Sequence, residues 1–195
     1  MKRILLLLPN GFEVLEVAAI VDVIGWSNIY GNKRDELLTT GRHSQIHDAF
    51  GSPKTPDMQL LNVDTGKFDA IVLPGGFEPA DYYEDAFSEE VLAIIRDFRV
   101  AGKLIASICV GALPLAKSGV LSGSRATTYF LRGEKRKEQL EEMGAILVKE
   151  RLIREGNVIT SASPATSTEV AINLLEFLTS RENATDIREL MGFGE

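Results

Sequence analysis

The chain has one cysteine, two histidines and no apolar run long enough to cross a membrane, and each scarcity narrows what it can be. One cysteine permits no intrachain disulfide, so the fold must rest on its core, and a reducing cytoplasm is the expected home. The two histidines, His43 and His47, are spaced i, i+4. That spacing serves a metal only on a helix, the surrounding GRHSQIHDAFG shows no helical pattern, and no third ligand is near. They read as solvated loop residues. Basic charge is also short. Against 28 Asp and Glu there are 21 Lys and Arg, a net charge of −7, which argues against nucleic acid or an anionic membrane as partner. The densest basic stretch, RGEKRKEQLEE at 132–142, is balanced by glutamates and reads as a solvated helix face. No phosphate loop, dinucleotide fingerprint or zinc spacing occurs, so no cofactor and no metal is implied.

What is present is apolar and regularly arranged. The 195 residues, 45% hydrophobic, are enough for one α/β domain spanning 1–195. The opening MKRILLLLPN is too short for the core of a signal peptide, is ended by Pro9 and lacks a cleavage site after it, so it reads as a buried first strand. Further apolar runs, DAIVLPGG (69–76) and LIASIC (104–109), end in glycine or small residues. Helical patterns follow them: EVLEVAAIVDVIGWSNI after the first, SEEVLAIIRDFRVAGK (88–103) with Ser88 as N-cap and Gly102 at its end, and VGALPLAKSGVL directly after LIASIC. EKRKEQLEEMGA and TSTEVAINLLEFLTS add two helices, and ILVKERLIREGNVITSAS a strand pair. Continuously apolar strands alternating with helices predict a parallel sheet covered on both faces. Residues 31–66 are less regular, with ELLTTG as a candidate strand. Trp26 reads as core or a dimer contact. Asp81, Tyr82, Tyr83, Glu84 and Asp85 read as a solvated loop.

Open α/β sheets place their sites at the carboxyl ends of strands. Three ends carry suitable residues: Glu13 and Glu16 after the first strand, Gly75 and Gly76 after the second apolar run, Cys109 after the third. Ser107 and Gly111 set small residues two positions either side of Cys109, the spacing of a sharp strand-to-helix turn. A thiol there would lie at a helix N-terminus, which lowers its pKa. A buried, inert cysteine is the competing reading, and the residues alone leave the two level.

Five segments in register then resemble the ThiJ/PfpI superfamily, the group of intracellular protease I and the parkinsonism-associated deglycase. They are G-F-E-x-x-E (11–16) with Asp22-Val23, DAIVLPGG, ASICVGALPLA (106–116), GSRATTY (123–129) and ITSASPATSTEVAINLLE (159–176). The resemblance implies a flavodoxin-like three-layer α/β/α sandwich with a mostly parallel sheet, related to class I glutamine amidotransferases and usually a homodimer. By position it implies Cys109 as nucleophile on its elbow and Glu16 as the acid touching the sulfur. Gly75, Gly76 and Val110 would surround an oxyanion or a sulfur-bound oxygen with backbone N–H groups. Glu13 would be a surface helix residue. Proteolytic members carry a histidine where this chain has Val110, and others carry one where it has Tyr129, a possible pocket residue. Ala162 stands where some members have an arginine near the dimer contact.

No histidine therefore occupies a position for base duty, which disfavours a cysteine hydrolase or protease. The resemblance implies a cofactor-independent cysteine enzyme acting on small electrophiles, glyoxalase- or deglycase-like or hydratase-like. The alternative is a non-enzymatic oxidative-stress sensor or protective protein whose partner is an oxidant.

Overall fold

Five residues, Arg3–Leu7, form strand β1, and four of them are fully buried. A strand with no polar face can only lie inside a covered sheet. The computed structural model, which describes residues 1–194, places β1 near the middle of seven strands. The others are β2 (Glu36–Gly41), β5 (Met58–Gln59), β6 (Ala70–Leu73), β7 (Leu104–Ser107), β10 (Leu152–Glu155) and β11 (Val158–Ser161), in the order β10-β11-β7-β6-β1-β2-β5. All neighbours pair in parallel except the hairpin β10–β11. The expected flavodoxin-like sandwich is what is found, with a mixed, mostly parallel sheet.

Helix α1 (Val14–Tyr30) packs with α6 (Ser167–Leu178) and α7 (Arg181–Leu190), while α3 (Glu89–Val100) packs with α4 (Ala112–Lys117). Ser88 caps α3 by accepting from the Val91 N–H at 3.5 Å, and Gly102 follows it with φ +65°. Both were legible in sequence. The 31–66 stretch holds β2, the small antiparallel pair β3 (Ile46–His47) and β4 (Pro53–Lys54), and 3-10 turns. A second small pair joins β8 (Arg125–Ala126) to β9 (Ile146–Leu147).

Two expectations need correction. Residues 82–86 are not a solvated loop but a short helix, α2 (Tyr82–Ala86), in which Tyr82 and Asp85 are buried. The basic stretch forms α5 (Lys135–Glu142), yet it is not simply a solvated face. Lys137 is buried, and the Arg136 guanidinium lies 4.8 Å from the Tyr83 ring centre, using its flat, weakly hydrated face to cover the aromatic. Trp26 is partly buried against the core, next to Tyr30.

Candidate active site

The sheet order brings the carboxyl ends of β7, β6 and β1 side by side. These are the ends followed by Cys109, by Gly75-Gly76 and by Glu16. Strands β2 and β6 flank β1, so the chain reverses its winding direction here, the place where open α/β sheets form crevices.

Cys109 follows β7 after one residue and has φ +56°, one of two non-glycine residues with positive φ among those described. A left-handed residue with a side chain costs about 1–3 kcal/mol and persists only where surroundings enforce it. Here they are enforced from both sides. The Ile108 N–H donates to the Leu73 carbonyl at 3.1 Å, and the Thr128 hydroxyl donates to the Cys109 carbonyl at 3.1 Å. Gly111 makes the close approach possible, since a Cβ there would stand 2.7 Å from the Leu73 oxygen. Tyr129, next to Thr128, is half-buried against the core. The Val110 N–H lies near the Cys109 sulfur and favours its ionised form.

Glu16, in the first turn of α1, is fully buried. Its Oε2 accepts the Gly75 N–H at 2.5 Å, and its Oε1 is buried without a partner among the described residues. Burial, assisted by the nearby charge of Glu13, pushes the Glu16 carboxyl up to about 8, against the pull of the Gly75 N–H. The Cys109 sulfur is close enough for each group to influence the other's ionisation, but Oε1 and the sulfur do not meet hydrogen-bond geometry. Glu13 is not a surface helix residue. It is the half-buried N-cap of α1 and accepts the Leu15 N–H at 3.4 Å.

The thiol itself departs from expectation. Burial and the neighbouring Glu16 carboxyl raise the Cys109 pKa well above the usual thiol value, opposed by the Val110 N–H. The sulfur residue is only 9% exposed. The helix behind it cannot reverse this: a 3-10 turn, Cys109–Gly111, leads into the six residues of α4, so few peptide dipoles align.

The glycine turn is held by its neighbours. The Glu13 N–H donates to the Gly75 carbonyl at 2.9 Å, and the Phe77 N–H to the Gly11 carbonyl at 3.0 Å, so residues 11–13 and 75–77 pair as a short antiparallel ribbon. Tyr82 lies beneath, its hydroxyl donating to the Pro74 carbonyl at 2.7 Å. A Cβ on Gly76 would fall 2.2 Å from the Tyr82 ring, so only glycine fits. The Gly76 N–H has no carbonyl partner in this ribbon, whose bonds come from residues 13 and 77.

His43 and His47 stand apart from Cys109. His43 is exposed but meets the buried Asp85 carboxylate at 3.3 Å, and His47 lies in β3. No group of three potential metal ligands occurs among the described residues. A groove of about 460 Å³ beside α6, lined by Leu152, Ile172, Arg188 and Phe193 among others, does not include the cysteine.

The DJ-1/PfpI family model matches residues 2–177 of this chain. The chain belongs to the DJ-1/PfpI family. It is 31% identical to protein dj-1beta of Drosophila melanogaster over 95% of this chain and 94% of that protein. The crystal structure of Drosophila DJ-1beta superposes with a TM-score of 0.83, 28% identity, and 97% coverage of both chains. An isonitrile hydratase of Pseudomonas putida is 32% identical over 62% of this chain and 50% of its own length. A deglycase of Thermococcus kodakarensis is 28% identical over 83% of this chain and 90% of its own. In this DJ-1/PfpI chain the residue after the strained Cys109 is Val110, not a histidine. Among the described residues, no helix is long and apolar enough to cross a membrane.

Proposed function

We propose that this DJ-1/PfpI protein is a cofactor-independent cysteine enzyme acting on small carbonyl electrophiles such as α-oxoaldehydes. The observation that carries the reading is the placement of Glu16, a carboxyl that burial pushes up to about 8, beside a cysteine held in a strained turn. As the sulfur bonds to the carbonyl carbon, the ionised Glu16 takes the thiol proton. The carbonyl electron pair moves to oxygen, where the Gly76 and Val110 N–H groups receive it, and Glu16 then returns the proton to that oxygen. Transfer of the hydrogen on that carbon to the neighbouring carbonyl carbon leaves a 2-hydroxy thioester, and water hydrolyses its S–C bond to release the 2-hydroxy acid and the free thiol. The names deglycase and isonitrile hydratase on relatives agree with an electrophilic small carbon as the target. Consumption of methylglyoxal without glutathione tests it. Wild type should turn over, Cys109→Ala should fall at least about 100-fold, and equal rates for both would end the reading.

A second reading draws on the unpartnered Oε1. A protonated Glu16 can donate to an oxygen on the sulfur, so two equivalents of peroxide would convert the thiol to the sulfinic acid and release two waters. The protein would then report or absorb oxidant. Intact mass after graded peroxide should show a gain of two oxygens that Glu16→Leu makes harder to reach.

The active unit we propose is a homodimer. Helix α1 is apolar on nearly all sides, and its outer face leaves Leu15, Val21 and Ile29 exposed. A two-fold pairing would cover them. Light scattering should give about twice the 21.4 kDa chain mass; the single mass would refute the pairing.

A further inference from the structure

Asp85 is buried on α2, and its carboxylate joins segments that the sequence keeps far apart. Oδ2 accepts the Asn10 backbone N–H at 3.0 Å. Oδ1 accepts from Arg42 Nη1 at 3.1 Å and lies 3.3 Å from His43 Nε2, while Arg42 Nη2 also reaches Glu90 at 3.3 Å.

Asn10 opens the loop on which the active site depends. Its side chain accepts the His47 N–H at 2.9 Å. The next residue, Gly11, donates its N–H to the His47 carbonyl at 2.8 Å and accepts from Phe77. Glu13 then pairs with Gly75, and one turn of α1 later Glu16 meets the Gly75 N–H. Tyr82, on the same short helix as Asp85, supports Pro74 and Gly76 from below. So α2 grips both sides of the site, the loop leading to Glu16 through Asp85 and the glycine turn through Tyr82.

We propose that Asp85 is a positioning residue for the Glu16–Cys109 pair: its bond to the Asn10 N–H sets the 10–13 loop against residues 75–77 and so places the Glu16 carboxyl beside the sulfur. This rests on reading Glu16 and Cys109 as a reacting pair. A backbone N–H bonded to a carboxylate is stronger than a neutral bond, and a site built on loops loses function on slipping by about 1 Å. The contacts from Arg42 and His43 do a different job. They satisfy a carboxylate that is buried, without touching the loop.

The test follows peroxide oxidation of Cys109 to the two-oxygen product by intact mass, with thermal unfolding measured on the same full-length samples. Asp85→Asn keeps an oxygen for the Asn10 N–H. Asp85→Ala keeps none. Arg42→Ala removes the cation and leaves the Asn10 bond alone. Asp85→Ala should slow oxidation about 10-fold or more, the scale of one lost charge-assisted hydrogen bond. Asp85→Asn should recover to within about threefold of wild type, and Arg42→Ala should lower the melting temperature yet oxidise within the same threefold. Asp85→Leu, which fills the space without an acceptor, stands in if the alanine variant does not fold. Oxidation rates that follow melting temperature through the series would make Asp85 merely structural and overturn the proposal, as would wild-type oxidation in Asp85→Ala. Glu16→Leu is the reference. If it slows oxidation while Asp85→Ala does not, only the positioning role falls. If it changes nothing, the pairing of Glu16 with Cys109 has failed and the positioning role fails with it.

Discussion

Two buried carboxyls lie on either side of the glycine turn, and their surroundings are opposite. Asp85, 4% exposed, has a backbone N–H, a guanidinium and an imidazole on its two oxygens. Glu16, 0% exposed, has one backbone N–H on one oxygen and nothing on the other. A carboxyl that folding has fully partnered offers no free atom to a substrate and serves the architecture. One left half-partnered destabilises the fold and keeps an atom for chemistry.

Substitution by leucine should pull the two apart most. Glu16→Leu removes the orphaned oxygen, a gain of about 1–3 kcal/mol, but strands the Gly75 N–H at a cost of similar size, so the fold should change by only about 1 kcal/mol. Carbonyl turnover should fall by about 100-fold or more as the proton carrier is lost. Asp85→Leu should cost about 2–4 kcal/mol, because it strands the Asn10 N–H and the half-buried Arg42 and relieves no orphaned oxygen in exchange. Denaturant unfolding of both variants decides it. Equal losses would mean that Glu16 is a structural acid and that the contrast is false.

The next effect is one of slope. The Glu16 carboxyl is raised in the fold to about 8 from an ordinary carboxylate value near 4.5. The folded state therefore holds this proton more tightly than the unfolded chain. That contribution is fully present below about pH 4.5 and is lost as pH rises through 8. Relative to Glu16→Gln, which has no proton to lose, wild-type stability should fall between pH 5 and 8 by at most about 1.4 kcal/mol per pH unit, then level off. Turnover should run the other way, since only the ionised Glu16 accepts the thiol proton, and should climb toward a plateau above pH 8. A difference between the two proteins that stays flat from pH 5 to 8 would place the Glu16 pKa back in the ordinary range.

Glu16 was legible in the sequence and Asp85 was not, for physical reasons. Gly75, Gly76 and Cys109 stand within three residues of the ends of apolar strands, and a parallel sheet gathers such ends; Glu16 opens the helix after β1, and it was the family resemblance, not the pattern, that set it above Glu13. The sheet itself was legible because β1, β6 and β7 contain almost nothing but apolar side chains. Asp85 draws its partners from residues 10, 42 and 43, and two of these lie in the irregular 31–66 stretch, where no periodicity announces where a side chain goes. Lys137 and Tyr82 are hidden for a similar reason, because burial in a short helix of charged or aromatic residues leaves no apolar stripe. The pKa of Cys109 was misjudged because sequence shows that a helix follows it but not that this helix begins with a 3-10 turn and ends at Lys117. Burial then outweighs the dipole.

The smallest effect, and the one that draws the line most finely, concerns Glu13. It caps α1 with a side-chain oxygen and adds a like charge to the site, behind burial in its influence on Glu16. Glu13→Gln keeps the capping acceptor and removes only the charge, so the fold should lose almost nothing. The Glu16 carboxyl should then ionise more easily, and the midpoint of the turnover profile should move down from about 8, by less than about one pH unit for a partly screened pair. The plateau rate should not change, because the proton still travels through Glu16. High salt should shrink the shift in the wild-type comparison, since Glu13 is half-buried and its field reaches partly through solvent. Turnover measured from pH 6 to 9.5 in wild type and variant checks all of this. If Glu13→Gln abolishes turnover at every pH while Glu16→Gln retains it, the proton travels through the N-cap glutamate, and the half-partnered carboxyl that matters is the other one.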